Sequence, residues 1–142
     1  MQQVVKISEA ASLALHTMVL LAANTDKTMS TKEVAHILGV SEAHLAKVLQ
    51  RLGRAGLVQS RRGPGGGFSL ARDASTITLM QVYQGVEGPL QTRHCLLGKP
   101  VCHNGCILGH LLDEVGDRVE KYFSQTKLSD LANTFVSEES HG

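Results

Sequence analysis

Three cysteines, Cys95, Cys102 and Cys106, fall within twelve residues of a 142-residue chain, and His94, His103 and His110 are interleaved with them. No cysteine stands elsewhere to pair with them, and an odd number argues against a disulfide framework. Thiolates are soft anionic ligands suited to an iron-sulfur cluster or to zinc, and a nitrogen or oxygen donor can make the fourth bond. His110, four residues after Cys106, is the first choice for it: the spacing predicts that both lie on one face of the first turns of a helix. His94 and His103 are alternatives that read equally as solvated loop residues. Spacing does not separate a 2Fe-2S or 4Fe-4S cluster from zinc, and three unligated thiols are a third reading. A thiol-disulfide oxidoreductase would need a Cys-x-x-Cys pair, which is absent, so no enzyme is expected.

A second group of residues could hold a polyanion. From Ala43 to Arg72 the chain carries Lys47, Arg51, Arg54, Arg61, Arg62 and Arg72 and no Asp or Glu. The balance reverses from Asp113 to Glu139, where seven carboxylates stand against Arg118, Lys121 and Lys127. Overall, 14 basic and 13 acidic residues nearly cancel, so distribution and not net charge indicates the partner. Gly63-Pro64-Gly65-Gly66-Gly67 could suggest a phosphate cradle, but the Lys-Ser/Thr ending of a P-loop is missing, and the strand-like Phe68-Ser69-Leu70 follows instead of a helix.

The elements needed to position these groups can be read from periodicity and caps. A mostly apolar helix is expected from about Ser8 to Ala23. Ser30, with Glu33 three residues on, predicts the N-terminus of a short helix carrying Val34, Ile37 and Leu38 and ending at Gly39. Ser41 begins another, with Leu45, Val48, Leu49 and Leu52 on one face and His44, Lys47 and Arg51 opposite. Two short helices joined at a glycine, with small Ala35 allowing close approach, form a helix-turn-helix. Ser41 and Glu42 sit at the leading end of its second helix, where base edges are reached. The glycine-rich segment predicts a β-hairpin wing with Arg61 and Arg62 at its base, able to enter a minor groove. Thr78 caps a helix with Leu79, Val82 and Tyr83, ended by Gly88-Pro89. A last helix is expected from about Asn104 to Thr126, where Leu108, Leu112, Val115, Val119 and Tyr122 recur as in a two-stranded seam. That seam predicts a homodimer; a helix buried within one monomer, the alternative, would show a similar stripe.

The fold class is therefore mainly α with a small β-hairpin wing, a winged helix-turn-helix plus a long C-terminal dimerisation helix. The expected division is a DNA-binding domain over 1–88, a cysteine-rich loop over 89–106, and a dimerisation helix and tail over 107–142. Apolar residues at 42% supply a core, and aromatics at 4% leave it to aliphatic side chains. The longest apolar stretch, Leu13 to Ala23, is short of a membrane span, and no signal-type leader precedes it, so a cytoplasmic protein with no membrane partner is expected.

Ser41-x-x-His44-Leu45-x-Lys47-Val48, Gly56-Leu57-Val58, Arg62-Gly63-Pro64-Gly65-Gly66-Gly67-Phe68 and Val86-Glu87-Gly88-Pro89 together resemble the Rrf2 family of transcription regulators, of the IscR- and NsrR-like kind, over nearly the whole chain. The resemblance implies a winged helix-turn-helix dimer with an iron-sulfur cluster near its long helix. It places Ser41, His44, Lys47 and Arg51 on the DNA-facing helix, Arg62 on the wing, and Cys95, Cys102 and Cys106 at the cluster. Two departures stand out. The cysteine gaps are six and three residues, unlike the even spacing often found in cluster-bearing relatives. Where some relatives supply an acidic ligand from the partner's first helix, Ser12 stands here, with Glu9 one turn earlier. The function implied is a repressor of a pseudo-palindromic operator that senses redox, nitric oxide or iron-sulfur status; a zinc-bound or cofactor-free regulator is the alternative.

Overall fold

A computed structural model describes residues 7–91, 95, 97, 99 and 101–135. Helix α1 (Glu9–Ala22) starts at Ser8, whose hydroxyl accepts from Ala11 N, and is buried on most sides, as its near-uniform apolarity requires. Ala11, Ala14 and Met18 are wholly inaccessible, and α1 is the central strut of the core. Helix α2 (Thr31–Leu38) is capped by Ser30, which accepts from Glu33 N at 3.0 Å, and ends at Gly39 with a left-handed φ of 68°. Helix α3 (Glu42–Arg54) follows at once, capped by Ser41. Its buried residues are Leu45, Val48, Leu49 and Leu52, the face expected from their spacing.

Strands β1 (Val58–Arg61) and β2 (Gly67–Leu70) pair antiparallel from Val58↔Leu70 to Arg61↔Gly67. A feature the sequence did not announce is a third edge: Met29 exchanges backbone hydrogen bonds with Phe68 at 2.9 and 2.7 Å. Thr28 Oγ1 also donates to the carbonyl of Gly65 at 2.6 Å. The wing is thus tied to the α1–α2 connection as well as to α3. At Asp73, hydrogen bonds from the Ser75 hydroxyl and backbone N–H hold the carboxyl below its usual range.

Helix α4 (Leu79–Glu87) carries the reciprocal capping box of Thr78 and Gln81 and packs against α1, α3 and helix α5 (Leu111–Gln125). Tyr83 of α4 meets Phe123 of α5 edge to face, with ring centroids 6.0 Å apart. Burial, and secondarily the charge of Glu87, pushes the Tyr83 hydroxyl to a higher pKa. After α5 the backbone is pinned to the start of α4, with Leu79 N on Thr126 O and Leu128 N on Ile77 O, both at 3.0 Å. A short α6 (Leu128–Leu131), not anticipated, then returns to α1.

The last helix differs from its expected span. It begins at Leu111, not near Asn104, because Gly105 (φ 100°), Gly109 (φ 58°) and His110 (φ 64°) interrupt any helix there with left-handed backbone. Its apolar stripe also divides. Leu112, Gly116 and Phe123 are buried and Val119 packs partly on the core, whereas Leu111 and Tyr122 are 49% and 53% exposed. The five-residue seam expected from spacing alone therefore belongs to two faces. Val119 looks inward, and Leu111, Val115 and Tyr122, at i, i+4 and i+11, lie along the outer side.

Candidate nucleic-acid interface and metal centre

The helix-turn-helix and the wing both present exposed cations. Lys47 and Arg51 are exposed on α3, opposite the buried leucines, and Arg61 and Arg62 are exposed where β1 enters the glycine loop. Among the described residues no carboxylate pairs with any of these four. The hairpin register corrects one expectation: Arg61 faces Gly67 in the last pair before the loop, so both arginines sit near the tip of the wing and not at its base. Four glycines from 63 to 67 let this tip fold tightly. At Gly67 (φ 151°) a Cβ would lie 2.4 Å from the Met29 carbonyl oxygen, so the close backbone approach that anchors the wing requires glycine.

Ser41 and Glu42 are exposed at the leading end of α3, and Ser41 Oγ accepts from the His44 backbone N–H at 3.1 Å. His44 is only half-buried, less open than its helical position suggested. It lines a cleft of about 430 Å³ against α1, with Glu9, Ser12, His16, Leu38 and Val40. The two positions of α1 singled out by family resemblance, Glu9 and Ser12, therefore share a cleft with the reading helix.

The cysteine region is reached from α4 through Gly88. Ser8 donates a hydrogen bond to Glu87 Oε1, tying the start of α1 to the end of α4 just before that region. All three cysteines are free, with Cys102 exposed and Cys95 and Cys106 half-buried. Cys106 Sγ accepts from Leu108 N at 3.4 Å, and Gly109 N donates to Cys106 O at 3.0 Å, which winds the chain from Cys106 towards His110. The two do not share a helix face as the spacing implied: both precede α5, in a turn. His110 is 71% exposed, with Nδ1 3.5 Å from Asp113 Oδ2. His103 is exposed, and His94 lies outside the described residues.

As a donor set, three thiols and an imidazole suit an iron-sulfur cluster or zinc. Among the described residues, however, no three His, Cys, Asp or Glu side chains are already gathered as a metal-holding group. Also among the described residues, no helix is long and apolar enough to cross a membrane.

The Rrf2 family profile, described as an iron-dependent transcriptional regulator, matches residues 7–134. The chain belongs to the Rrf2 family. It is 32% identical over 130 residues to an HTH-type transcriptional regulator of Aquifex aeolicus, covering 89% of this chain and 90% of that one. It is 33% identical over 103 residues to the HTH-type transcriptional regulator IscR of Photorhabdus laumondii, covering 71% of this chain and 62% of the relative. Among solved structures it is similar to CymR, the global cysteine regulator of B. subtilis, with a TM-score of 0.74 and 28% identity over 92% of this chain and 98% of that one. These Rrf2 relatives are named regulators of transcription, not enzymes, and their winged helical fold is the one expected for this chain. Membership of this family of transcription regulators implies that the protein binds DNA.

Proposed function

We propose that the protein is a homodimeric repressor that reads a pseudo-palindromic operator and senses redox, nitric oxide or iron-sulfur status. The observation that carries the reading is the set of exposed cations on α3 and the wing, Lys47, Arg51, Arg61 and Arg62, none of them paired with a carboxylate among the described residues. Residues 1–88 form the DNA-reading unit, 89–106 the sensing loop, and 107–142 the dimer arm and tail. Ser41, Glu42 and His44 lie towards the leading end of α3, where base edges are met, while Lys47 and Arg51 neutralise phosphates. Arg61 and Arg62 at the wing tip enter the neighbouring minor groove.

Dimerisation is supported by the outer side of α5. Leu111 and Tyr122 are 49% and 53% exposed on this helix, and Ile107, in the turn before it, is 81% exposed; open apolar side chains of this kind suit cover by a second copy. Substituting Leu111→Arg with Tyr122→Arg is expected to give a monomer by sedimentation and to weaken operator binding by about 100-fold, because one reading head replaces two. A variant that stays dimeric places the interface elsewhere.

Cys95, Cys102, Cys106 and His110 would hold the cofactor, which when bound supplies electron-transfer and nitric-oxide-reactive chemistry. The chain's own contribution is to close a loop fixed at both ends. One end is held by the Ser8–Glu87 hydrogen bond, and the other runs into α5. Bringing the thiols together would therefore reposition the first turn of the dimer arm. Anaerobic purification is expected to yield a coloured protein with iron and sulfide in stoichiometric amount, and Cys→Ser changes at 95, 102 or 106 are expected to bleach it. A colourless protein holding stoichiometric zinc without sulfide replaces the sensor with a zinc-stabilised regulator.

A further inference from the structure

Helix α3 meets the core with Leu45, Val48, Leu49 and Leu52. At about 100° per residue, the side directly opposite those four runs along Ala43, Lys47, Gln50 and Arg54, each within about 30° of its midline. All four are exposed. His44 and Arg51 stand off that line by about 90° and about 70°, in keeping with the half-burial of His44. Ala43 and the exposed Ala46 end at Cβ, so the leading half of the helix can approach the floor of a groove closely. Gln50 is the neutral polar side chain on the line, between the cations Lys47 and Arg54. Lys47 and Arg51 lean to one side of the midline and Gln50 to the other, so cation and amide face different parts of a groove. Among the described residues no hydrogen bond engages the Gln50 side chain, which leaves both its carbonyl and its amino group available.

We propose that Gln50 is a specificity-determining residue: its side-chain amide reads the major-groove edge of an adenine, once in each half-site. This rests on the reading of α3 as the helix that enters the major groove. Adenine presents an acceptor, N7, beside a donor, the N6 amino group; Gln50 Nε2 donates to the first while Oε1 accepts from the second. Guanine presents two acceptors at the same edge, N7 and O6, which leaves Oε1 facing a carbonyl. An amide taken from water into the interface without its complement costs free energy, so the wrong base pair is rejected as well as the right one held. Lys47 and Arg51, as cations, hold the backbone and set the register in which this edge is met.

The test selects binding sequences from a pool of randomised duplexes with the full chain, both as purified anaerobically and after treatment with a chelator. The wild-type protein is expected to enrich a palindromic sequence with adenine at a symmetry-related pair of positions. Gln50→Ala should lower the preference for adenine at that pair by about 10-fold per half-site and leave the other positions and the salt dependence unchanged. Gln50→Arg should move the preference at the same pair to guanine, because a guanidinium donates to both N7 and O6. Arg51→Ala is the contrast: it should weaken binding to all sequences alike and flatten the salt dependence. Circular dichroism checks that the variants fold. If the wild-type protein enriches a sequence and Gln50→Ala leaves every base preference unchanged, the inference fails while DNA binding stands. If Gln50→Ala instead weakens all sequences alike, if the preference it removes is for a base other than adenine, or if Gln50→Arg does not redirect that preference, the inference also fails. If the wild-type protein enriches no sequence in either state, the underlying reading fails first.

Discussion

Changing Lys47 and Arg62 together to alanine flattens the salt dependence of operator binding by about 3 to 4 units of log–log slope. Each substitution removes one DNA-facing cation per protomer, Lys47 from a phosphate and Arg62 from the minor groove, and each counterion that such a cation releases is worth about 0.9 in that slope. At 50 mM salt the affinity loss is about 100-fold, and it shrinks as salt rises because the wild-type protein loses more. Neither residue has a carboxylate partner among those described, so the substitutions strand no buried charge. Lys121→Ala, on the exposed side of the acidic α5, serves as the control and leaves the slope unchanged. A titration on promoter fragments in which the double variant keeps both affinity and slope removes DNA contact from this face.

Gly67→Ala has the second large effect and acts through shape. The added Cβ meets Met29 O at 2.4 Å and Met29 C at 2.6 Å, both backbone atoms that cannot swing aside. The Met29–Phe68 hydrogen bonds must lengthen or break, costing about 2–4 kcal/mol in urea unfolding. Amide exchange at Phe68 should speed up with helical circular dichroism unchanged, and operator affinity should fall about 10-fold as Arg61 and Arg62 lose their fixed positions. Gly65→Ala is the informative comparison. Its φ of 73° is also left-handed, but nothing lies within 4 Å of the new Cβ, so only about 1 kcal/mol of backbone strain is expected. Equal losses at the two positions would remove the close approach to Met29 as the cause.

The parts of the fold readable from sequence were those governed by local rules. Ser30, Gly39, Ser41 and Thr78 mark helix ends through caps that involve only neighbours, and the α3 leucines announce their face by period. What escaped depended on distant partners. Nothing local to Met29 says that its backbone will pair with Phe68, and α6 is held by α1 and by Ile77. On α5, both Val119 and Tyr122 satisfied a heptad, yet the Tyr83–Phe123 contact turned one inward and left the other outside. The cationic site was legible because its residues are consecutive along α3 and the hairpin. The candidate metal ligands were legible in composition only: periodicity carried the helix through Gly105 and Gly109, whereas their left-handed backbone stops it and puts Cys106 and His110 on a turn.

The way α5 is fastened has a mechanical consequence. Its C-terminal end is fixed by Phe123 and by the hydrogen bonds joining Ile77–Leu79 to Thr126–Leu128, while Leu112, near the other end, is buried outside the main cluster. The helix is therefore a crank with its pivot at one end and the thiol-bearing turn at the other. Its 15 residues give an arm of about 22 Å, so a swing of about 10° displaces the far tip by about 4 Å. That is close to the roughly 3.4 Å step between stacked base pairs. A small rearrangement at the sulfur end is thus already on the scale of one base-pair step.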